Sequence, residues 1–344
     1  MSAEDDDMSL FTRIKQRHYG LYQSIRRGVG RFADQRVGVL GLLILIGLIV
    51  TALAAPFLAP HSLDWRAPEV LDKGGNADLP DDCSTADNPL DCRAQKESSG
   101  KTISHPAPPK FGDFTGDPYF APLGTDHRGS DVLSRLIYGS QTALYIGLAA
   151  GLLSSLVGVP LGLISGYYGD TWIDEFIQRV IDLMFGLPFL PLVIVLVAAN
   201  GITTTNIIIA IVIKSWLNNA IVIRGETLSL KERSYVEAAK VSGASDTRIV
   251  FRHIFPNVLP LAFIYLAQDS AIAVLTQANL AFLGLADFTN VSWGTMLNWI
   301  QTTGYVYDAW WWLLPPGLMI TALAASFYFV GYSLEDVMNP QTSA

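Results

Sequence analysis

Charge is missing from four long stretches of this chain: residues 37–63, 136–169, 183–213 and 309–334. A fifth, residues 253–286, is broken only by Asp269. A helix needs roughly 20 mainly apolar residues to cross the hydrocarbon core of a bilayer. Pro188, Pro191 and the turn signal Asn200-Gly201 divide the 183–213 run into two. The pattern predicts six spans, at residues 37–58, 141–167, 179–199, 205–224, 258–284 and 310–334. The fold class is therefore all-α, a polytopic membrane protein. Only 16% of the residues are charged, against about 25% in soluble domains. Disorder, a coiled coil and a disulfide-stapled secreted domain are excluded by the same runs.

Basic residues orient the bundle. Arg13, Lys15, Arg17, Arg26, Arg27, Arg31 and Arg36 precede span one, and Arg224, Lys231, Arg233, Lys240, Arg248 and Arg252 lie between spans four and five. The segments 200–204 and 285–309 hold no Lys or Arg. The positive-inside rule then predicts that both termini and the 225–257 loop are cytoplasmic. The expected layout is a cytoplasmic tail (1–36), span one (37–58), an extracytoplasmic loop (59–140), a five-helix core (141–334) and a C-terminal tail (335–344). Span one starts too far in and follows too basic a tail to read as a cleaved signal peptide.

The tail has an acidic start, then apolar residues at helical spacing from Phe11 through Ile14, Leu21, Ile25, Val29 and Phe32, with basic residues between them. That reads as a helix on the inner membrane surface, or as a solvated tail with some helix. The outer loop reads as irregular structure. It holds Cys83 and Cys92, the only two cysteines, which read as a disulfide in an oxidising exterior, as two free thiols, or as a metal pair lacking its other ligands. Closing so short a loop is worth about 2–3 kcal/mol in the chain-entropy account. Asp outnumbers Glu, Arg outnumbers Lys, and the net charge is -8 despite basic cytoplasmic segments. Such acidity suits a high-salt setting and points to a halophilic prokaryote, an archaeon among the candidates.

Enzyme chemistry is hard to find. Ser98-Ser99-Gly100-Lys101-Thr102 approaches a nucleotide loop, but Gln95 stands where a Walker A glycine is needed. No Gly-x-Ser-x-Gly elbow or His-Glu-x-x-His pair occurs, and the five histidines are scattered. Metal sites and nucleic-acid binding have no signature here. Asn290-Val291-Ser292 fits an N-glycosylation acceptor.

The most informative stretch is residues 229–260. Helix formers run from Tyr235 to Val241, Gly243 can end that helix at positive φ, and Ser245 or Asp246 can cap the next one. Ala238, Ala239 and Gly243 are small enough for another surface to approach closely. Glu237-Ala238-Ala239, Gly243 and Phe255-Pro256 together resemble the EAA loop of ABC-importer permeases. Further segments resemble the dipeptide, oligopeptide and nickel subfamily, of the second-permease type: Leu123-Gly124-Thr125-Asp126, Gly129 through Gly139, Phe282 through Leu285, Ser292 through Leu297, and residues 31–60.

The resemblance implies the type I importer fold with six spans. It implies a non-catalytic permease subunit working with a second permease, two ABC ATPases and an external solute-binding protein. ATP and Mg2+ would sit on the ATPases, with no cofactor on this chain. Glu237, Ala238, Ala239, Gly243, Phe255 and Pro256 would form the ATPase-coupling loop. Ser130, Gln277 and Asn279 stand where the subfamily usually has Arg, Glu and Ser, and Phe255 replaces a Leu. These departures bear on the solute rather than the fold.

Polar residues within the spans remain. Charge inside a membrane is costly and defaults to function. Asp269, Thr276, Gln277 and Asn279 read either as a wet face lining a translocation path or as interhelical hydrogen bonding to a partner subunit. Lys214, midway along span four, can snorkel or pair with Asp182.

Overall fold

A computed structural model describes residues 30–65, 71–72, 101–102, 106, 108–109 and 121–338. Cys83, Cys92 and nearly all of the proposed interfacial helix lie outside the described residues. The helices are α1 (Arg36–Leu53), α2 (Ala55–Leu58), α3 (Val132–Tyr167), α4 (Trp172–Gly186), α5 (Phe189–Asn200), α6 (Thr204–Lys231), α7 (Ser234–Val241), α8 (Asp246–Ile249), α9 (Phe255–Phe282), α10 (Trp293–Thr302) and α11 (Trp310–Met338). One two-residue antiparallel ladder pairs β1 (Leu71–Asp72) with β2 (Lys101–Thr102), so the end of the segment read as plain loop forms a short strand.

Five helices among the described residues are long and apolar enough to cross a membrane, and a sixth span results if α4 and α5 count as one. That third span is bent at its centre: α4 and α5 meet at 90°. The cause is local. A residue before proline is pushed out of the helical region, and Leu187 sits at φ -85°, ψ 128° ahead of Pro188. The Asn200-Gly201 signal is a real break, with Gly201 at φ 90°.

Two other boundaries move. Helix α3 begins at Val132 rather than near residue 141, because Asp131 caps it: its Oδ2 accepts from the Ser134 N–H at 2.8 Å. At 36 residues α3 is about 54 Å long, so it extends well beyond a ~30 Å hydrocarbon core. The expected 225–257 loop is mostly helical. Helix α6 runs on to Lys231, and α8 joins α9 through a π-turn at Val250–Ile254. Proline at 256 explains the wide turn, since its ring would crowd the carbonyl four residues back in a regular helix.

The chain forms two compact units. The first comprises the described residues up to Gly47, residues 146–276 and residues from 322 on. Within it, α3 and α6 pack at backbone contact. A Cβ on Gly158 would lie 2.6 Å from the Trp216 carbonyl oxygen, one on Gly162 2.6 Å from that of Ala220, and one on Gly166 2.7 Å from that of Arg224. Glycine every fourth residue is the device that lets membrane helices approach so closely. The second unit comprises residues 48–145 and 277–321. Here Gly139 makes room for Trp293, whose Nε1 donates to the Leu136 carbonyl at 2.8 Å.

Candidate functional site

In the first unit, α7, Gly243 and α8 form a helix, a reversal and a second helix. Gly243 has φ 78°. The Gly243 N–H donates to the Lys240 carbonyl at 2.9 Å, and the Ala244 N–H donates to the Ala239 carbonyl at 3.1 Å. This is the Schellman pattern, whose C′ position favours glycine. The side chains expected beside each other divide by exposure. Glu237, Ala238, Gly243 and Pro256 are exposed, while Ala239 and Phe255 are half-buried. Val241, on the same turn, is 90% exposed.

The opposite side of this segment is fastened to the bundle. Val236, Ile249 and Ile254 are fully buried in one cluster with Val159, Leu163, Ile223 and Val258, and Ala239 and Ala244 pack against it. A polar tie adds to this. The Tyr167 hydroxyl, at the end of α3, donates to Asp246 Oδ1 at 2.6 Å. Lys231 and Lys240 lie 5.8 and 5.9 Å from the Tyr167 ring centre. A push on α7 and α8 therefore reaches α3 directly. Sequence reasoning missed Tyr167, since nothing local marks a tyrosine at a helix end as a tether. Tyr167→Phe keeps the ring and removes the donor. A hydrogen bond to a charged group is worth about 1.5–3 kcal/mol, so the tie between α3 and α8 should loosen with the protein still inserted. Unchanged protease sensitivity of residues 234–249 in that variant would show that the hydroxyl does not hold the segment.

Asp269 is buried and accepts a 2.8 Å hydrogen bond from Asn219 Nδ2 on α6. Asn219 is fully buried and also reaches Ser155 Oγ at 3.4 Å. Sequence reasoning named Asp269 but not Asn219. Thr276 is buried, and its hydroxyl donates within α9 to the Ile272 carbonyl at 2.7 Å. Gln277 is buried, whereas Asn279 is exposed. Lys214 does not pair with Asp182, which is exposed; its Nζ donates to the Leu187 carbonyl. The break at Pro188 leaves that carbonyl without a helical partner, and the ammonium supplies one.

In the second unit the segments around residues 123–139 and 292–299 come together. Asp126 Oδ1 accepts from the backbone N–H groups of Arg128 and Ser130 at 2.8 and 2.9 Å, and Asp126 Oδ2 lies 3.3 Å from Arg135 Nε. Arg135 also donates to Ser130 Oγ at 3.1 Å and stacks 4.7 Å over Trp299. Burial raises the Asp131 carboxyl above its usual range, opposed by hydrogen bonds from Ser134. In the turn before α10, a hydrogen bond from Thr289 lowers the Asp287 carboxyl. Asn290 donates to Asp287 Oδ2 at 2.8 Å, and Ser292 forms a capping box with Thr295, so the glycosylation triplet is built into a turn and a helix cap.

Fold and surface define a polytopic helical membrane protein with one exposed helix-turn-helix anchored to its spanning helices. Residues 158–344 match the family of binding-protein-dependent transport system inner membrane components, and the chain belongs to that family. Residues 21–77 match the N-terminal transmembrane domain of oligopeptide transport permease C. The dipeptide transport system permease protein DppC of Bacillus subtilis is 30% identical over 90% of this chain and 84% of its own length. OppC, the oligopeptide transport system permease of the same organism, is 30% identical over 90% of this chain and 88% of its own. A putative peptide transport system permease protein of Brucella suis is 37% identical over 64% of this chain and 73% of its own. A chain of the MetNI methionine ABC transporter, solved facing inward, aligns with a TM-score of 0.46 and 16% identity over 60% of this chain and 95% of that chain.

Proposed function

We propose that this chain is one permease subunit of an ATP-driven importer of dipeptides or oligopeptides. It works in the cell membrane with a second permease, two ABC ATPases and an external solute-binding protein. One observation carries the reading: the turn at Gly243 is exposed on one side and buried into the spanning helices on the other. ATP and Mg2+ act on the ATPases. Closure of the ATPase pair presses on Glu237, Ala238, Ala239 and Gly243, and Phe255 and Pro256 pass the motion into α9. The bundle then changes between inward-facing and outward-facing states, a two-state element biased by its partner. Asp269, Thr276 and Gln277 serve the translocation path; exposed Asn279 is the least supported member.

The peptide substrate rests on the relatives' names, with nickel complexes and sugars as the alternatives within the family. The acidic composition supports a halophilic source. A second reading, a self-sufficient secondary transporter, draws on the right-angle break between α4 and α5. Reconstitution decides between them. The assembled complex should take up labelled dipeptide only with ATP and binding protein, and this chain alone should take up none. Uptake by the lone chain would overturn the proposal. The orientation has its own check: a cysteine at exposed residue 232 should resist an impermeant thiol reagent in sealed cells, and its labelling would reverse the topology.

A further inference from the structure

A small cavity of about 140 Å3 in the first unit is lined by Phe185, Phe189, Lys214, Ser215, Asn218, Asp269 and Ile272. Two of these are formal charges of opposite sign. Among the described residues no ion pair joins Lys214 to Asp269, although both face the same space. Phe185 and Phe189 come from the two sides of the α4–α5 break, and the Leu187 carbonyl between them is held by Lys214. Irregular backbone at membrane depth is tolerated where it lines a cavity. Asp269 is aimed and fixed by Asn219.

From this geometry we infer that the cavity receives a zwitterionic solute, its ammonium at Asp269 and its carboxylate at Lys214. A lone cation would meet Lys214 and a lone anion would meet Asp269, so only a solute carrying both charges satisfies both walls. Charge-assisted hydrogen bonds make each end selective. Enclosing pockets for drug-sized ligands run to about 300–1,000 Å3, so this site is a passing contact for a small solute rather than a store. The inference rests on the importer reading and gives its solute one ammonium and one carboxylate end.

The test uses the purified complete transporter, with Cys83 and Cys92 replaced by serine and Asn218→Cys introduced at the cavity wall. Dialanine should slow modification of that cysteine by a neutral maleimide. N-acetyl-dialanine amide, which lacks both charges, should not. Lys214→Gln keeps a donor for the Leu187 carbonyl while removing the charge, and Asp269→Asn keeps the side-chain shape. Each should raise the dialanine concentration for half-protection by about tenfold, as expected for one lost charge-assisted contact. Lys214→Arg should preserve protection. Equal protection by blocked and unblocked peptide, or none by dialanine, overturns the site whether or not ATP-driven uptake persists. Protection without ATP-driven uptake would count against the importer reading alone.

Discussion

Gly243→Val should nearly abolish ATP-driven uptake while the chain remains inserted and correctly oriented. The reason is conformational rather than steric. A Cβ at Gly243 would meet nothing within 4 Å, yet the residue sits at φ 78°. An L-residue there costs about 1–2 kcal/mol, and a β-branched one more, which shifts the turn's population by about tenfold or beyond. Two hydrogen bonds depend on that turn, from Gly243 to Lys240 and from Ala244 to Ala239. Their loss would reorient the exposed face carrying Glu237 and Ala238 without disturbing the buried anchor at Val236 and Ile249. Asparagine tolerates the left-handed region, so uptake should fall in the order Gly, Asn, Ala, Val. Copurification of ATPase subunits gives the parallel readout. Normal uptake and copurification by the valine variant would show that the turn does not carry the coupling.

The largest loss of stability is expected from Asp174→Ala. Asp174 on α4 forms a two-pronged ion pair with Arg224 on α6, both bonds at 2.7 Å. The same carboxylate accepts from Ser165 Oγ on α3 at 2.5 Å and from the Asp170 N–H at 3.3 Å. Its side chain is 6% exposed and that of Arg224 28%. Removing one member of such a pair strands the other and costs about 3–5 kcal/mol. That is a large share of the ~5–15 kcal/mol that ordinarily separates folded from unfolded chains. The amount of inserted protein and its melting temperature in detergent should both drop sharply. Replacing both residues with apolar ones, Asp174→Leu with Arg224→Met, should be milder, because no lone charge remains. A double variant worse than Asp174→Ala would show that the pair stabilises by more than mutual neutralisation.

Much of the architecture is legible along the chain because it depends on neighbours in sequence. Charge-free runs mark the spanning helices, since lipid excludes charge wherever the helices later pack. The reversal at Gly243 is legible for a similar reason: chirality makes glycine the natural residue at positive φ, whatever surrounds it. Pro188 was equally visible as a break, but its right-angle consequence was not, since the angle depends on what each arm packs against. What only the tertiary structure decided is which distant groups meet. Arg224 reads in sequence as one more orienting charge, yet packing turns it into the partner of Asp174. Lys214 finds the Leu187 carbonyl rather than Asp182, and Asp269 finds Asn219. The glycines at 158, 162 and 166 were in plain view at four-residue spacing, but the helix they admit is α6 only in three dimensions. Hydropathy and backbone chirality act over a few residues and survive in any fold, whereas the pairing of buried polar groups is chosen by helix packing.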